Sequence, residues 1–363
     1  MTSPITHGTE KSSTLVPLPA QPAGVSWPTL TWATAEPDGA NVDELDDIMD
    51  RAFRINPNSK LALTTACIVV QHGRIVAERY GPGTGSQSTL ISWSTAKSVT
   101  QALVGLAVAD GLVDLDAAPA HPSWDNPDDP RRGITLTHLL QMRDGLDFNE
   151  DYVDAETSHC LEMLWGSGAG NMAEYAAGQP ALHAPGTHFN YSSGTTNIIV
   201  DAVMRAYGAT SPDDRRRVID EVLVERLLSR INMSSAIPKL DASGGWVGSS
   251  YLYATARDFA RFGYLYLRDG IWNGDRILPE GWADRARTPI STDPDGDLYG
   301  EQWWPSDDRY GTFSALGYEG QVISVVPALD VVIVRFGKTP SELSPDKERF
   351  ITDLIECLGR THS

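Results

Sequence analysis

The chain has 363 residues, of which 41% are hydrophobic and 21% are charged, a composition that can bury a substantial core. Its 48 acidic and 29 basic residues give a formal net charge of -19, so the protein as a whole repels phosphate backbones and anionic lipid. These values argue against a nucleic-acid partner and are typical of a dispersed globular protein.

The N-terminal part is predicted to form an arm, a helix and a pair of strands. Residues 1–40 are rich in Pro, Ser, Thr and Gly without periodicity, so we expect an extended arm. Asn41 is a helix N-cap with Glu44 as the second member of a capping box, and an apolar stripe at helical spacing follows. Residues 61–80 then predict two strands joined by the turn at 72–73.

The middle of the chain is mostly helical, and the C-terminal part returns to strands. Several segments open on a capping residue and close near Gly, which predicts helices over 135–142, 171–177, 194–206, 212–230 and 256–268. Residues 320–337 predict two strands around a Pro-containing turn, before a closing helix with Ser344 as N-cap and Pro345 at its first position.

This order favours an α/β (α+β) fold, an antiparallel sheet flanked by helices with an inserted, mainly helical lobe. The sheet lobe would come from about 41–90 and 300–363, and the helical lobe from about 91–299. We therefore predict one domain over 41–363, preceded by the arm.

Ser94 and Lys97 stand three positions apart at the start of an apolar, small-residue helix. That spacing places both side chains on one helix face, about one turn apart, where a nucleophile and its base can meet. Burial in the apolar run after Lys97 would lower the pKa of its amine and make it a usable base. The same spacing occurs at Ser344 and Lys347, where polar neighbours explain it as an ordinary helix start. The alternative for Ser94 and Lys97 is therefore a serine that caps the helix beside a lysine that reaches solvent.

Two further segments supply partners for such a serine. Tyr191 lies two residues before Ser193 on a loop, where its phenol can exchange a proton with the serine and pass it to a leaving group. A core tyrosine with a satisfied hydroxyl is the alternative.

Gly317 and Gly320 lead into a predicted strand, which lets a substrate lie alongside the strand edge. An N–H from that edge and the N–H of Ser94 would together bind an oxyanion.

The order of Ser-x-x-Lys, Tyr-x-Ser and a Gly-containing late strand resembles the penicillin-recognising serine hydrolases, which include class C β-lactamases and related esterases. The likeness spans about residues 40–360 and is nearest to the 6-aminohexanoate-dimer (nylon oligomer) hydrolases, since the segment MRDGLDFNEDYVD at 142–154 is similar as well. The resemblance implies that Ser94, Lys97 and Tyr191 are catalytic. It also implies oxyanion or substrate-binding roles for Tyr152, which would contact the substrate amide, Ser193, Gly317 and Tyr318.

One departure bears on the substrate. β-Lactamases carry Lys-Thr-Gly or His-x-Gly at the third motif, whereas this chain has Ala315-Leu316-Gly317, and Ser193 stands in place of an asparagine. The missing cation argues against an antibiotic or cell-wall substrate. We expect a serine hydrolase that cleaves amide or ester bonds of small linear molecules through an acyl-enzyme, as the resemblance implies. The alternatives are a carboxylesterase or weak β-lactamase on the same scaffold, or a non-catalytic binding protein.

The remaining signals predict no cofactor and no metal. The histidines are scattered, and the DPDGD segment at 293–297 lacks the spacing of a calcium loop. Trp303 or Trp304 could line an acyl pocket, with ordinary packing as the alternative.

No secretory signal or run of roughly 18 apolar residues occurs, so we predict a cytoplasmic protein without a membrane partner. Whether two copies form a homodimer is left open. Three cysteines in apolar segments are predicted to be free thiols: Cys67, Cys160 and Cys357.

Overall fold

A computed structural model of the chain describes residues 15–54, 61–119 and 121–360. Within these ranges the α-helices are α1 (Val42–Phe53), α2 (Ala96–Ala109), α3 (Leu136–Leu140), α4 (His159–Trp165), α5 (Met172–Ala177), α6 (Ser193–Ala206), α7 (Pro212–Val218), α8 (Ala256–Leu267), α9 (Trp282–Arg287) and α10 (Ser344–Leu358). A π-helix, Ile219–Leu228, continues α7.

The strands are β1 (Leu63–Gln71), β2 (Arg74–Tyr80), β3 (Thr89–Ile91), β4 (Ile237–Pro238), β5 (Leu252–Thr255), β6 (Ile271–Trp272), β7 (Asp275–Arg276), β8 (Ser291–Thr292), β9 (Leu298–Tyr299), β10 (Trp304–Pro305), β11 (Phe313–Gly317), β12 (Gln321–Val326) and β13 (Val331–Lys338). The main sheet has six strands in the order β10-β11-β12-β13-β1-β2, and its pairings are antiparallel. A smaller sheet has the order β3-β5-β4. The predicted antiparallel sheet built from both ends of the chain is therefore confirmed.

The main sheet is covered on both faces, which explains its nearly continuous apolar strands. In β1, Ile68 belongs to the core that includes Phe259 of α8, whereas Val69 belongs to the core that includes Leu45 of α1 and Leu354 of α10. This division follows from the alternation of side chains along a strand. Helix α2 is buried along most of its length and forms the centre of the helical part of the molecule.

The arm that precedes α1 lies against the surface of the fold. Over residues 15–40 its backbone contacts the sheet through one isolated bridge between Thr34 and Ile75. Arginine side chains of the body hold it by donating hydrogen bonds to its carbonyl oxygens, such as Arg261 Nε to Pro28 at 2.8 Å and Arg268 Nη1 to Pro19 at 3.1 Å. Residues 1–14 of the predicted arm lie outside the described residues.

The bounds predicted from capping residues and glycines agree with those of most helices to within a few residues. The C-terminal helix needs a correction. Ser344 is the first residue of α10 and Leu343 is its N-cap, because a 3₁₀ turn over Ser341–Leu343 leads directly into the helix. The Ser344 hydroxyl donates to Glu348 at 3.1 Å instead of capping. At α1 the Asn41 side chain accepts from the Glu44 N–H as predicted, but the Glu44 carboxylate accepts from Arg360 Nη1 and does not complete the predicted capping box.

The described residues bear on three further expectations. The three cysteines are buried and free, as predicted. The part of the chain that the structure describes holds no helix with the length and apolar character of a membrane span. It also holds no group of three or more His, Cys, Asp or Glu side chains arranged for a metal ion.

Candidate active site

Ser94 lies in a tight turn that leads into α2. The 3₁₀ turn Trp93–Thr95 begins at Trp93, whose φ of +43° is a strained left-handed conformation for a bulky residue. The turn is anchored by Ser92, whose hydroxyl donates to the Ser250 carbonyl and accepts from the Leu252 N–H, both at 3.0 Å. This arrangement holds the half-buried Ser94 at the N-terminal end of a rigid, buried helix.

Lys97 is 2% exposed and points into the protein. Its Nζ donates to Ser94 Oγ at 3.0 Å, to Ser193 Oγ at 2.9 Å and to the Ser249 carbonyl at 3.0 Å. Burial lowers the pKa of this amine, and the negative charge of Glu150 partly opposes that change. The alternative in which Lys97 reaches solvent is therefore excluded.

Tyr191 joins this pair from a loop almost a hundred residues further along the chain. Lys97 Nζ lies 4.9 Å from the centre of the Tyr191 ring, which packs against Trp304 with the ring centres 5.5 Å apart. Burial raises the pKa of the phenol and the charge of Glu150 adds to this, whereas a hydrogen bond with Ser94 acts in the opposite direction. The phenol of Tyr191 therefore stays neutral, and its ring lies next to the amine of Lys97.

Gly317 and Tyr318 lie next to the turn that carries Ser94. Gly317 ends β11 so close to the turn that a Cβ at this position would lie 2.7 Å from the Ser92 carbonyl oxygen. Only glycine allows this approach without a backbone shift. The Tyr318 ring lies edge-on to Trp93 at 5.8 Å and contacts Tyr152 at 5.1 Å. The end of β11 therefore lies alongside Ser94, as the strand-edge prediction required.

Glu150 is a site residue that the sequence analysis did not identify. Its carboxylate accepts from the Ser193 N–H at 2.7 Å, from Ser193 Oγ at 2.5 Å and from the Tyr152 hydroxyl at 2.8 Å. Because Ser193 donates its proton to Glu150, its oxygen is free to accept from Lys97. Glu150 thereby fixes the direction of the hydrogen bonds that reach the amine.

A cavity of about 120 Å³ opens beside Ser94. Its lining is largely aromatic and aliphatic and consists of Trp93, Ser94, Tyr152, Cys160, Leu161, Leu164, Trp165, Ser193, Ser250 and Tyr318. A larger groove of about 780 Å³ lies between the end of the main sheet and α10, and it contains neither the proposed nucleophile nor its base. We assign the smaller cavity to the site because it is the one that contains Ser94.

The two candidate tryptophans have other positions. Trp303 is fully buried and packs on Phe262 and Tyr266, so a place in an acyl pocket is wrong for this residue. Its neighbour Trp304 packs behind Tyr191 and Tyr299. Trp304 therefore supports Tyr191 from behind, and neither tryptophan lines the cavity.

The sequence profile of a family described as beta-lactamase matches residues 49–356. The chain belongs to the beta-lactamase family. Its sheet and flanking helices are those of the beta-lactamase-like fold, and it is a serine hydrolase that acts on small molecules.

Individual members of the family and solved structures are similar over most of the chain. A 6-aminohexanoate-dimer hydrolase from Paenarthrobacter ureafaciens is 26% identical over 321 residues, which cover 82% of this chain and 79% of the relative. A second similar protein is a structure described as "Putative 6-aminohexanoate-dimer hydrolase from Bacillus anthracis", with a TM-score of 0.73 and 22% sequence identity. The superposition covers 95% of this chain and 91% of that structure's chain. A family VIII carboxylesterase has a TM-score of 0.65 at 13% identity, with 87% and 97% covered. The resemblance to the 6-aminohexanoate-dimer hydrolases is thus confirmed at the level of family.

Proposed function

We propose that this beta-lactamase-family hydrolase cleaves amide bonds of small linear molecules through an acyl-enzyme formed on Ser94. The observation that carries the proposal is the convergence of an amine and a phenol on one serine hydroxyl. Lys97 Nζ lies 3.0 Å from Ser94 Oγ and 4.9 Å from the centre of the Tyr191 ring. Since Tyr191 comes from a separate part of the chain, its approach to Ser94 and Lys97 beside a cavity is the arrangement that nucleophilic catalysis requires.

In the proposed reaction Ser94 Oγ attacks the substrate carbonyl while its proton passes to the unit formed by Lys97 and Tyr191. The backbone N–H groups of Ser94 and Tyr318 bind the oxyanion of the tetrahedral intermediate. Tyr191 then gives a proton to the departing amine, which leaves an ester between Ser94 and the acyl group. Water attacks this ester with the same unit as base, releasing the acid and returning the proton to Ser94. We assign the proton that leaves Ser94 to Lys97 and Tyr191 together and not to one of them.

Two observations support a linear amide as substrate. The similar protein from Paenarthrobacter ureafaciens is named for hydrolysis of the 6-aminohexanoate dimer, a linear amide, and its likeness covers most of the chain. In addition, Ala315-Leu316-Gly317 offers no cation for the carboxylate of a β-lactam. We further propose a cytoplasmic enzyme without a nucleic-acid partner, supported by three free buried thiols and the net charge of -19.

A substrate panel tests this function. The panel contains two linear amides, 6-aminohexanoate dimer and hexanoyl p-nitroanilide, together with p-nitrophenyl hexanoate and a chromogenic cephalosporin. We expect turnover of at least one linear amide, none of the cephalosporin, and labelling of Ser94 by a fluorophosphonate, located by peptide mass spectrometry. Ester turnover without amide turnover would make the protein a carboxylesterase. Absence of both labelling and turnover would make it a binding protein.

Replacing Tyr191 with phenylalanine should lower kcat/KM for the amide by about 10² to 10⁴, the usual contribution of a positioned proton donor. The ring packing on Trp304 is retained, so the variant should stay folded. Tyr299 provides a matched control because it contacts both Tyr191 and Trp304, yet its buried hydroxyl has no hydrogen-bond partner among the residues that the structure describes. Tyr299→Phe should keep its turnover and melt no earlier than the parent. Equal losses in the two variants would refute a proton-transfer role for Tyr191.

A further inference from the structure

The residues that line the cavity beside Ser94 are uncharged. Its larger and apolar lining residues include four from α4, namely Cys160, Leu161, Leu164 and Trp165, together with Trp93 and Tyr318. Leu164 is 7% exposed and Cys160 is 1% exposed, so the inner wall is apolar. Trp165, Tyr318 and Tyr152 are 61%, 44% and 37% exposed, so these three residues border the opening to solvent.

The charged groups near this cavity are already engaged. Glu150 accepts two hydrogen bonds from Ser193 and one from Tyr152, and it is absent from the lining. Glu319 accepts from Trp93 Nε1 at 3.4 Å, on the outer side of that indole, and is absent from the lining. A charged group carried in by a substrate would therefore meet no free partner of opposite charge among the lining residues.

We propose that the enzyme selects substrates with an uncharged, apolar acyl group and discriminates against an ω-amino acyl group of the same length. The proposal rests on the proposed function, since it concerns the acyl half of the amide that Ser94 attacks. An ammonium in this cavity would lose its hydration without gaining an ion pair, whereas a methyl group in the same place gains by leaving water. The preference therefore depends on the unfavourable burial of the ammonium as much as on the favourable burial of the methyl group. The acyl half of the 6-aminohexanoate dimer carries such an amine, so the preferred substrate differs from that dimer.

Two pairs of p-nitroanilides measure the preference. Within each pair the chains have equal numbers of heavy atoms and differ only in a terminal methyl or ammonium: butanoyl against β-alanyl, and heptanoyl against 6-aminohexanoyl. We expect kcat/KM to favour butanoyl over β-alanyl by at least about ten-fold after correction for their rates of alkaline hydrolysis. The longer pair should differ less, because the end of a longer chain can pass the exposed Trp165 into water.

Matched variants test whether the lining sets this ratio. Leu161→Asp introduces a carboxylate on the half-buried face of α4 and should shift the ratio toward the aminoacyl substrate by about ten-fold, whereas Leu161→Asn should not. If the Asp variant fails to fold, Trp165→Glu and Trp165→Gln repeat the comparison at an exposed position.

The outcomes separate the specificity from the reaction itself. Equal or better turnover of β-alanyl than of butanoyl by the parent enzyme would overturn the apolar preference. An equal shift in the Asp and Asn variants would overturn its electrostatic cause. If none of the four anilides is hydrolysed and Ser94 is not labelled by a fluorophosphonate, the proposed function itself fails, which is a separate result.

Discussion

Replacing Ser94 with alanine should abolish amide hydrolysis. The variant removes the atom that forms the acyl-enzyme, and loss of the nucleophile from a coupled hydrolase site lowers kcat by a factor on the order of 10⁴ to 10⁶. The fold should be retained, because Ser94 is half-buried and the two anchoring hydrogen bonds of the turn belong to Ser92. Turnover is measured at high enzyme concentration, and the acyl-enzyme is sought by intact-protein mass spectrometry.

The second Ser-x-x-Lys of the chain supplies the control. Ser344 stands three residues before Lys347 at the start of α10, and its hydroxyl donates to the exposed carboxylate of Glu348. Ser344→Ala should therefore leave turnover and fluorophosphonate labelling unchanged. Substantial hydrolysis by the Ser94 variant, or an equal loss in the Ser344 variant, would remove Ser94 from the mechanism.

The features of the fold that could be predicted from the sequence are those with a local cause. The turn between β1 and β2 is an example, because His72 and Gly73 have φ values of +49° and +74°, a conformation suited to a two-residue hairpin. The order of the strands was not predictable in this way. Pairing of β1 with β13 joins residues more than 250 positions apart, and apolar periodicity carries no information about which strand is the neighbour.

The same limit applies to the candidate site. Ser94 and Lys97 are related by helix geometry, so their contact could be predicted. Glu150 approaches Ser193 across 43 positions from an irregular loop, and it is one of 48 acidic residues, so nothing in its local sequence marks it. Ser249 participates through its backbone carbonyl, a contact that any residue type can make.

Ser-x-x-Lys spacing and burial together are still insufficient to identify a site. Lys347 is 8% exposed, and burial lowers the pKa of its amine, as burial does for Lys97. Its charged neighbour is Glu348, at 3.7 Å on the same helix. What distinguishes Lys97 is the set of acceptors at its amine, two serine hydroxyls and a carbonyl from separate segments, which only the folded chain brings together.

Replacing Lys97 with methionine should reduce kcat/KM by roughly 10³ or more, since it removes the amine from a unit whose members act together. Methionine keeps an unbranched side chain of similar length within the buried site. Lys97→Arg should not restore activity, because a guanidinium stays protonated and cannot accept a proton. Lys347→Met is the matched control and should keep its turnover.

The pH dependence gives this prediction a second readout. The amine accepts a proton only when neutral, so the activity of the parent enzyme should rise with pH through the pKa of the coupled unit, which burial of Lys97 lowers. The methionine variant should lack this acidic limb. Persistence of the limb in Lys97→Met would assign it to a group other than Lys97.

The free energy of unfolding should also rise with pH, as the activity does. Because the folded pKa of Lys97 is lowered, the unfolded chain binds more protons between that pKa and the roughly 10.4 of an unfolded lysine. The free energy of unfolding of the parent protein should therefore rise with pH across this window relative to that of Lys97→Met, as measured by urea denaturation at several pH values. A difference between the two proteins that does not change with pH would mean that Lys97 retains an ordinary pKa, and the amine would then be unsuited to act as a base at neutral pH.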